Sequence, residues 1–164
     1  MVISEFLRVR TRQVKMIKKA LIAVLAAFAF LSCATVPIAD NEKSVAKVVD
    51  LFNQGQSEKL SDLSQKPFLF DGEILLMQQD LDILYGNLEN AGFKMEDYAI
   101  ASLDRVDDST YEKFAETMEV EVYFDKYIES SAVVATIKAK NGTFLLLLDG
   151  RKGPFPLIYG FKVM

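Results

Sequence analysis

The chain has 164 residues, the length of one domain, with 51% hydrophobic and 26% charged residues and a net charge of -4 at pH 7. It has no histidine and no tryptophan, and Cys33 is its only cysteine, which excludes a Ser-His-Asp or Cys-His nucleophile, imidazole-ligated zinc and any intrachain disulfide. From Cys33 onward 22 acidic residues stand against 13 basic ones, a balance that argues against nucleic acid and against electrostatic attraction to anionic lipid, since both need basic clusters.

The region before Cys33 has the opposite character, with six basic residues and the single acid Glu5. Read from Met16, Lys18 and Lys19 precede an apolar run of 12 residues, Ala20 to Leu31. A membrane-spanning helix needs about 20 apolar residues, so the run has the length of the hydrophobic core of an export signal. Met16 is therefore the expected start, and residues 1–15 are expected to be an extension produced by a misassigned start. The only cysteine follows the apolar run almost at once. Phe30-Leu31-Ser32-Cys33-Ala34 resembles the lipobox of bacterial lipoproteins. The resemblance implies a signal peptide over 16–32, cleavage before Cys33, acylation of its sulfur, and attachment to the bilayer of the cell envelope. Residues 33–42 would then be the lipidated N-terminus and a short tether carrying Pro37. Phe30 and Leu31 depart from the commoner pattern, which has leucine three before the cysteine and a small residue two before it. Ser32-Cys33-Ala34 also suits ordinary signal peptidase, which would cut after Ala34 and release a soluble secreted or periplasmic protein.

Residues 43–164 are expected to form one α+β domain. Val45, Val48, Val49 and Phe52 fall on one face of a helix that Gly55 stops. Ser57 can cap a shorter helix carrying Leu60 and Leu63 that ends before Pro67. Phe68-Leu69-Phe70 reads as a strand ending at Asp71-Gly72. Ile74, Met77, Leu81, Leu84 and Leu88 then define a helix running to about Ala91, with Gly92 as its terminal glycine and Phe93 just beyond. Gly86 inside it is either a close-packing point or simply exposed. Tyr98 to Leu103 alternates as a strand, and Asp107-Asp108-Ser109 can cap a short helix through Tyr111, Phe114 and Ala115. Val120, Val122 and Phe124 alternate with Glu121, Tyr123 and Asp125, predicting a half-buried strand. Ala132 to Lys140 and Thr143 to Leu148 flank Asn141-Gly142, a hairpin signal. Phe144 to Leu148 reads as a strand buried on both faces. Asp149 to Gly153 predicts a turn, and Leu157 to Val163 a last strand.

N-terminal helices followed by consecutive strands predict helices packed on a curved antiparallel sheet. The order of elements over about 42–164 is similar to the cone-shaped nuclear transport factor two superfamily, of the cystatin-like kind. That resemblance implies a sheet wrapped around the long helix, with an open end serving an apolar ligand, an enzyme site or a protein partner. Tyr85, Tyr98, Tyr123, Tyr127 and Tyr159 are the candidate ligand-binding residues, because tyrosine offers an apolar wall and a hydroxyl. The ketosteroid-isomerase-like branch would add an aspartate base, for which Asp71, Asp97 and Asp125 are available. The acids Asp104, Asp107, Asp108 and Glu112 do not have calcium-loop spacing and read as turn acids. Asn141-Gly142-Thr143 matches a glycosylation sequon that its hairpin role already explains. No metal or cofactor is expected. The reading is an envelope lipoprotein acting as a binding or interaction module for a small apolar ligand or an envelope protein. A small pocket enzyme of isomerase or cyclase type is the alternative.

Overall fold

The computed structural model describes residues 38–151 and 154–164. The expected export signal, Cys33 and the start of the expected tether lie outside the described residues, as do Lys152 and Gly153 of the expected turn. The first helix, α1 (Ile38–Asn53), buries Val45, Val48, Val49 and Phe52 as their spacing requires, together with Leu51. It begins at Ile38, within the stretch expected to be tether, and ends at Gly55, whose φ of +63° favours glycine. Helix α2 (Ser57–Leu63) leads directly into strand β1 (Ser64–Phe70).

The chain next departs from the expected helix. Asp71 and Gly72 both have positive φ, and they make a two-residue turn that pairs Phe70 with Glu73. Strand β2 (Glu73–Leu75) is therefore the return arm of a hairpin, and Ile74 belongs to it and not to a helix. Helix α3 (Gln78–Asn90) starts after Met77, whose backbone N–H donates to the Asp80 carboxylate at 3.4 Å. Leu81 and Tyr85 are buried on its inner face, while Leu84 and Leu88 are half-buried beside them. Gly92 and Phe93 close the helix as their sequence suggests, through Phe93 N–H donating to the Leu88 carbonyl at 2.9 Å. A β-carbon built on Gly86 would meet nothing within 4 Å, so this glycine marks no close packing.

Strand β3 (Ala99–Arg105) and a single 3₁₀ turn (Thr110–Lys113) follow. Asp107 caps that turn, accepting from the backbone and hydroxyl of Ser109 and from the Thr110 hydroxyl at 2.8–3.0 Å. The segment expected to be a strand through Val120, Val122 and Phe124 is helix α4 (Met118–Tyr127). Thr117 caps it by accepting from Val120 N–H at 3.3 Å, Glu119 and Glu121 sit in its first turn, and Lys126 sits in its last. Each of these features favours a helix at that end of its dipole. Val120, Tyr123 and Phe124 then share the buried face at helical spacing. Strands β4 (Val133–Ala139) and β5 (Gly142–Leu148) form the expected hairpin, turning through Lys140-Asn141, one residue earlier than expected. Strand β6 (Ile158–Val163) is last.

The six strands form one sheet in the order β2-β1-β6-β5-β4-β3. It is mixed, not antiparallel throughout, because β1 runs parallel to β6. Helices cover both faces. On one, α1, α2 and α3 pack Phe52, Leu60 and Leu81 against Phe68, Phe144, Leu146 and Phe161. On the other, α4 and the 3₁₀ turn pack Phe114, Val120, Tyr123 and Phe124 against Leu69, Leu145, Leu147 and Tyr159. Residues 144, 146 and 148 thus face one core and 145 and 147 the other, which is why this run is apolar without alternation. The architecture is α+β.

Candidate functional site

The five candidate tyrosines do not converge. Tyr85 is buried under α1–α3, where its hydroxyl lies 2.7 Å from Ser64 Oγ; Ser64 Oγ in turn donates to the Leu60 carbonyl at 2.8 Å. Burial raises its pKa above the ordinary tyrosine range, so it stays neutral and serves the core. Tyr98 is half-buried at the rim of the same core, its pKa raised by burial and then by the nearby Asp50. Tyr123, Tyr127 and Tyr159 belong to the opposite face. The Tyr123 hydroxyl donates to the Tyr159 carbonyl at 2.8 Å and to the Pro67 carbonyl at 3.2 Å, stitching α4 to β6 and β1. Burial raises the pKa of both Tyr123 and Tyr159.

The three aspartates considered as bases occupy separate places. Asp71 is a turn residue whose carboxylate accepts from Val163 N–H at 2.8 Å. Asp97 is a turn residue of positive φ, and Asp125 stands on the exposed side of α4. A carboxylate that sequence reasoning did not single out, Asp149, is largely buried, and burial raises its pKa. It accepts from Leu157 N–H at 2.8 Å and so closes the loop between β5 and β6. Of the acids expected in turns, Asp107 is held below the usual carboxylate range by the Thr110 and Ser109 hydroxyls, and Asp104, which lies in β3, pairs with Lys113 at 3.4 Å. Among the described residues no group of three or more acidic or cysteine side chains could hold a metal ion.

Two concave features stand out. A polar cleft of about 380 Å³ lies between α2 and α3. In it the buried Ser61 hydroxyl donates to Asp82 at 2.5 Å and accepts from the Gln78 amide at 2.6 Å. Those two partners, Ser61 first, hold Asp82 below the usual carboxylate range. With every one of these groups engaged by another, the cleft works as a clasp between the two helices.

The second is a groove of about 570 Å³ between α4 and the β2 edge of the sheet. Pro67, Ile74 and Leu76 form one wall; Met118, Val122, Tyr123 and Tyr127 form the floor and the other. Glu119 and Lys126 are the charged residues of its rim. Its side chains are unusually bare for apolar residues: Met118 is 79% exposed, Leu76 69%, Val122 53% and Tyr127 42%. The neighbouring Met77 is also exposed. Contiguous apolar surface of this kind marks binding or association more often than single exposed side chains do. The groove exists because β2 is only three residues long and α4 lies across the adjacent face, leaving the walls unfilled. Tyr123 and Tyr127 are thus brought together, whereas Leu76, Met118 and Val122 were not among the candidates. Reading 118–127 as a helix would have placed Met118 and Val122 on its outer face.

No protein-family model matches the chain, and no curated protein matches it. Among the described residues no helix is long and apolar enough to cross a membrane.

Proposed function

We propose that this chain is a lipoprotein of the bacterial cell envelope, held in the bilayer through acylated Cys33. It serves as a non-catalytic interaction module that offers the groove between α4 and β2 to an apolar partner. The observation that carries the reading is the cluster of exposed apolar side chains around that groove. The lipobox-like run at Cys33 supports the anchor, and N-terminal helices packed on one face of a six-stranded sheet support kinship with the nuclear transport factor two-like superfamily. The pocket-enzyme alternative needs a carboxylate facing a tyrosine hydroxyl in a dry cavity. It is disfavoured because the Tyr85 and Tyr123 hydroxyls and the Asp149 carboxylate are each engaged by groups of the fold itself.

Two measurements on the full chain in cells test this. Fatty-acid labelling should be present in the wild type and lost in Cys33→Ser; an unlabelled wild type would end the anchor claim. A photo-crosslinking amino acid at Val122 should yield protein adducts, and one at the exposed Ile83 of α3 should not. Absence of any adduct from position 122 would end the interaction claim.

A further inference from the structure

The groove has a symmetry that points to its occupant. Along α4 its residues are Met118, Glu119, Val122, Tyr123, Lys126 and Tyr127. Glu119 and Lys126 are equidistant from the midpoint between Val122 and Tyr123, and at 3.6 residues per turn they point within about 20° of each other. A second α4 laid antiparallel on the first, about a two-fold axis at that midpoint, keeps the exposed Val122 of each copy beside the axis. It also sets Glu119 against the other copy's Lys126, twice over. Glu119 and Lys126 lie seven residues apart, about 10.5 Å along the axis, too far to pair within one helix. Neither has an ion-pair partner among the described residues. Lys126 instead lies with its ammonium 5.1 Å from the centre of the Tyr127 ring. An isologous contact requires that residue i meet j while j meets i. Glu119 and Lys126 meet that condition.

We propose that the groove is the seat of a second copy of this chain, with α4 packed antiparallel on α4 and each helix filling the other copy's groove beside Leu76. The inference rests on reading the groove as an interaction surface and names its partner. Charge reversal tests it on the full chain in a density-matched detergent, by sedimentation equilibrium. The wild type should self-associate. Glu119→Lys alone and Lys126→Glu alone each turn two attractive contacts into two repulsive ones, and each should weaken association about tenfold or more. An equal mixture of the two single variants restores both contacts in the heterodimer and should associate within about threefold of wild type. Both positions are exposed, so thermal midpoints should not move. Val122→Asp, at the axis, should abolish association by a route independent of the charge pairs.

A monomeric wild type would overturn the proposal, as would a dimer indifferent to all three substitutions or a mixture no tighter than its components. A crosslink from position 122 to a different protein, with a monomeric wild type, would sink the second copy and leave the interaction module standing.

Discussion

Truncating Leu81 and Leu84 in turn separates burial from helix propensity, because both sit inside α3 and both become alanine. Leu81 is fully buried against the sheet, and Leu84, three residues on, is half-buried at the edge of the same core. Removing a fully packed leucine side chain costs about 2–5 kcal/mol, through lost transfer energy and the cavity left behind. Leu81→Ala should fall in the upper half of that range, since Phe68, Tyr85 and their neighbours hold the cavity open. Leu84→Ala should cost roughly half as much, because water already reaches part of its side chain. The assay is urea unfolding of the chain carrying Cys33→Ser, followed by far-ultraviolet circular dichroism. With a slope of about 1–3 kcal/mol/M for a domain of this size, Leu81→Ala should lower the midpoint by roughly 1–5 M. A Leu84→Ala cost equal to or above that of Leu81→Ala would mean that α3 presents a different face, and the packing described above would be wrong.

Two further outcomes follow from single positions. Gly86→Ala should raise stability by about 1 kcal/mol, because the added methyl meets nothing and alanine is the better helix former; a loss of stability in the same urea assay would show an unrecognised contact. Tyr85 and Tyr123 have pKa values raised by burial above the ordinary 10. Their neutral forms therefore contribute stability that is whole below about pH 10. It falls as pH rises above 10, when the unfolded chain ionises and the folded one does not. The urea midpoint should decline across that window, and Tyr85→Phe should flatten the decline. A midpoint unchanged to about pH 11.5 would refute it.

What could be read from the residues depended on whether local pattern and tertiary context agreed. The apolar faces of α1 and α2, the close of α3 at Gly92-Phe93, and the β4–β5 hairpin all carry period or turn signals that point the same way, whereas Ser57 does not cap α2, which starts from Gln56 with no side-chain cap. The run Phe144 to Leu148 was legible as doubly buried because only a central strand tolerates five consecutive large apolar side chains. Two segments misled for physical reasons. Ile74 and Met77 extend the spacing of Leu81, Leu84 and Leu88 by coincidence, so Asp71-Gly72 read as a strand end when it is the turn into β2. Val120, Val122 and Phe124 alternate as a strand would, yet the Thr117 cap and the charges arrayed along the dipole settle a helix. The parallel pairing of β1 with β6 has no local signal at all, since it joins segments about 90 residues apart. The groove was illegible for the same reason: it appears only when α4 is known to be a helix and β2 is known to be an edge.

The charge of the domain sharpens the test of self-association. With 22 acidic against 13 basic residues from Cys33 onward, two copies repel each other wherever salt does not screen them. Glu119→Lys lowers that overall repulsion by two charges per copy, so general electrostatics predicts tighter association. Local complementarity at α4 predicts the reverse, because the substitution would set an ammonium against Lys126 of the other copy. The sign of this one effect decides between them, at an ionic strength where the Debye length is about 8 Å and only close contacts survive. Lys126→Glu cannot discriminate in this way, since both views predict weakening. The equal mixture of the two variants carries the same total charge as a wild-type pair and more negative charge than a pair of Glu119→Lys copies, so any gain it shows over Glu119→Lys alone reports contact geometry. On a membrane, lipid attachment would confine the copies to one surface. The five residues from Cys33 to Ile38 span at most about 18 Å. At the resulting effective concentration a contact too weak to dimerise in dilute solution would still be populated.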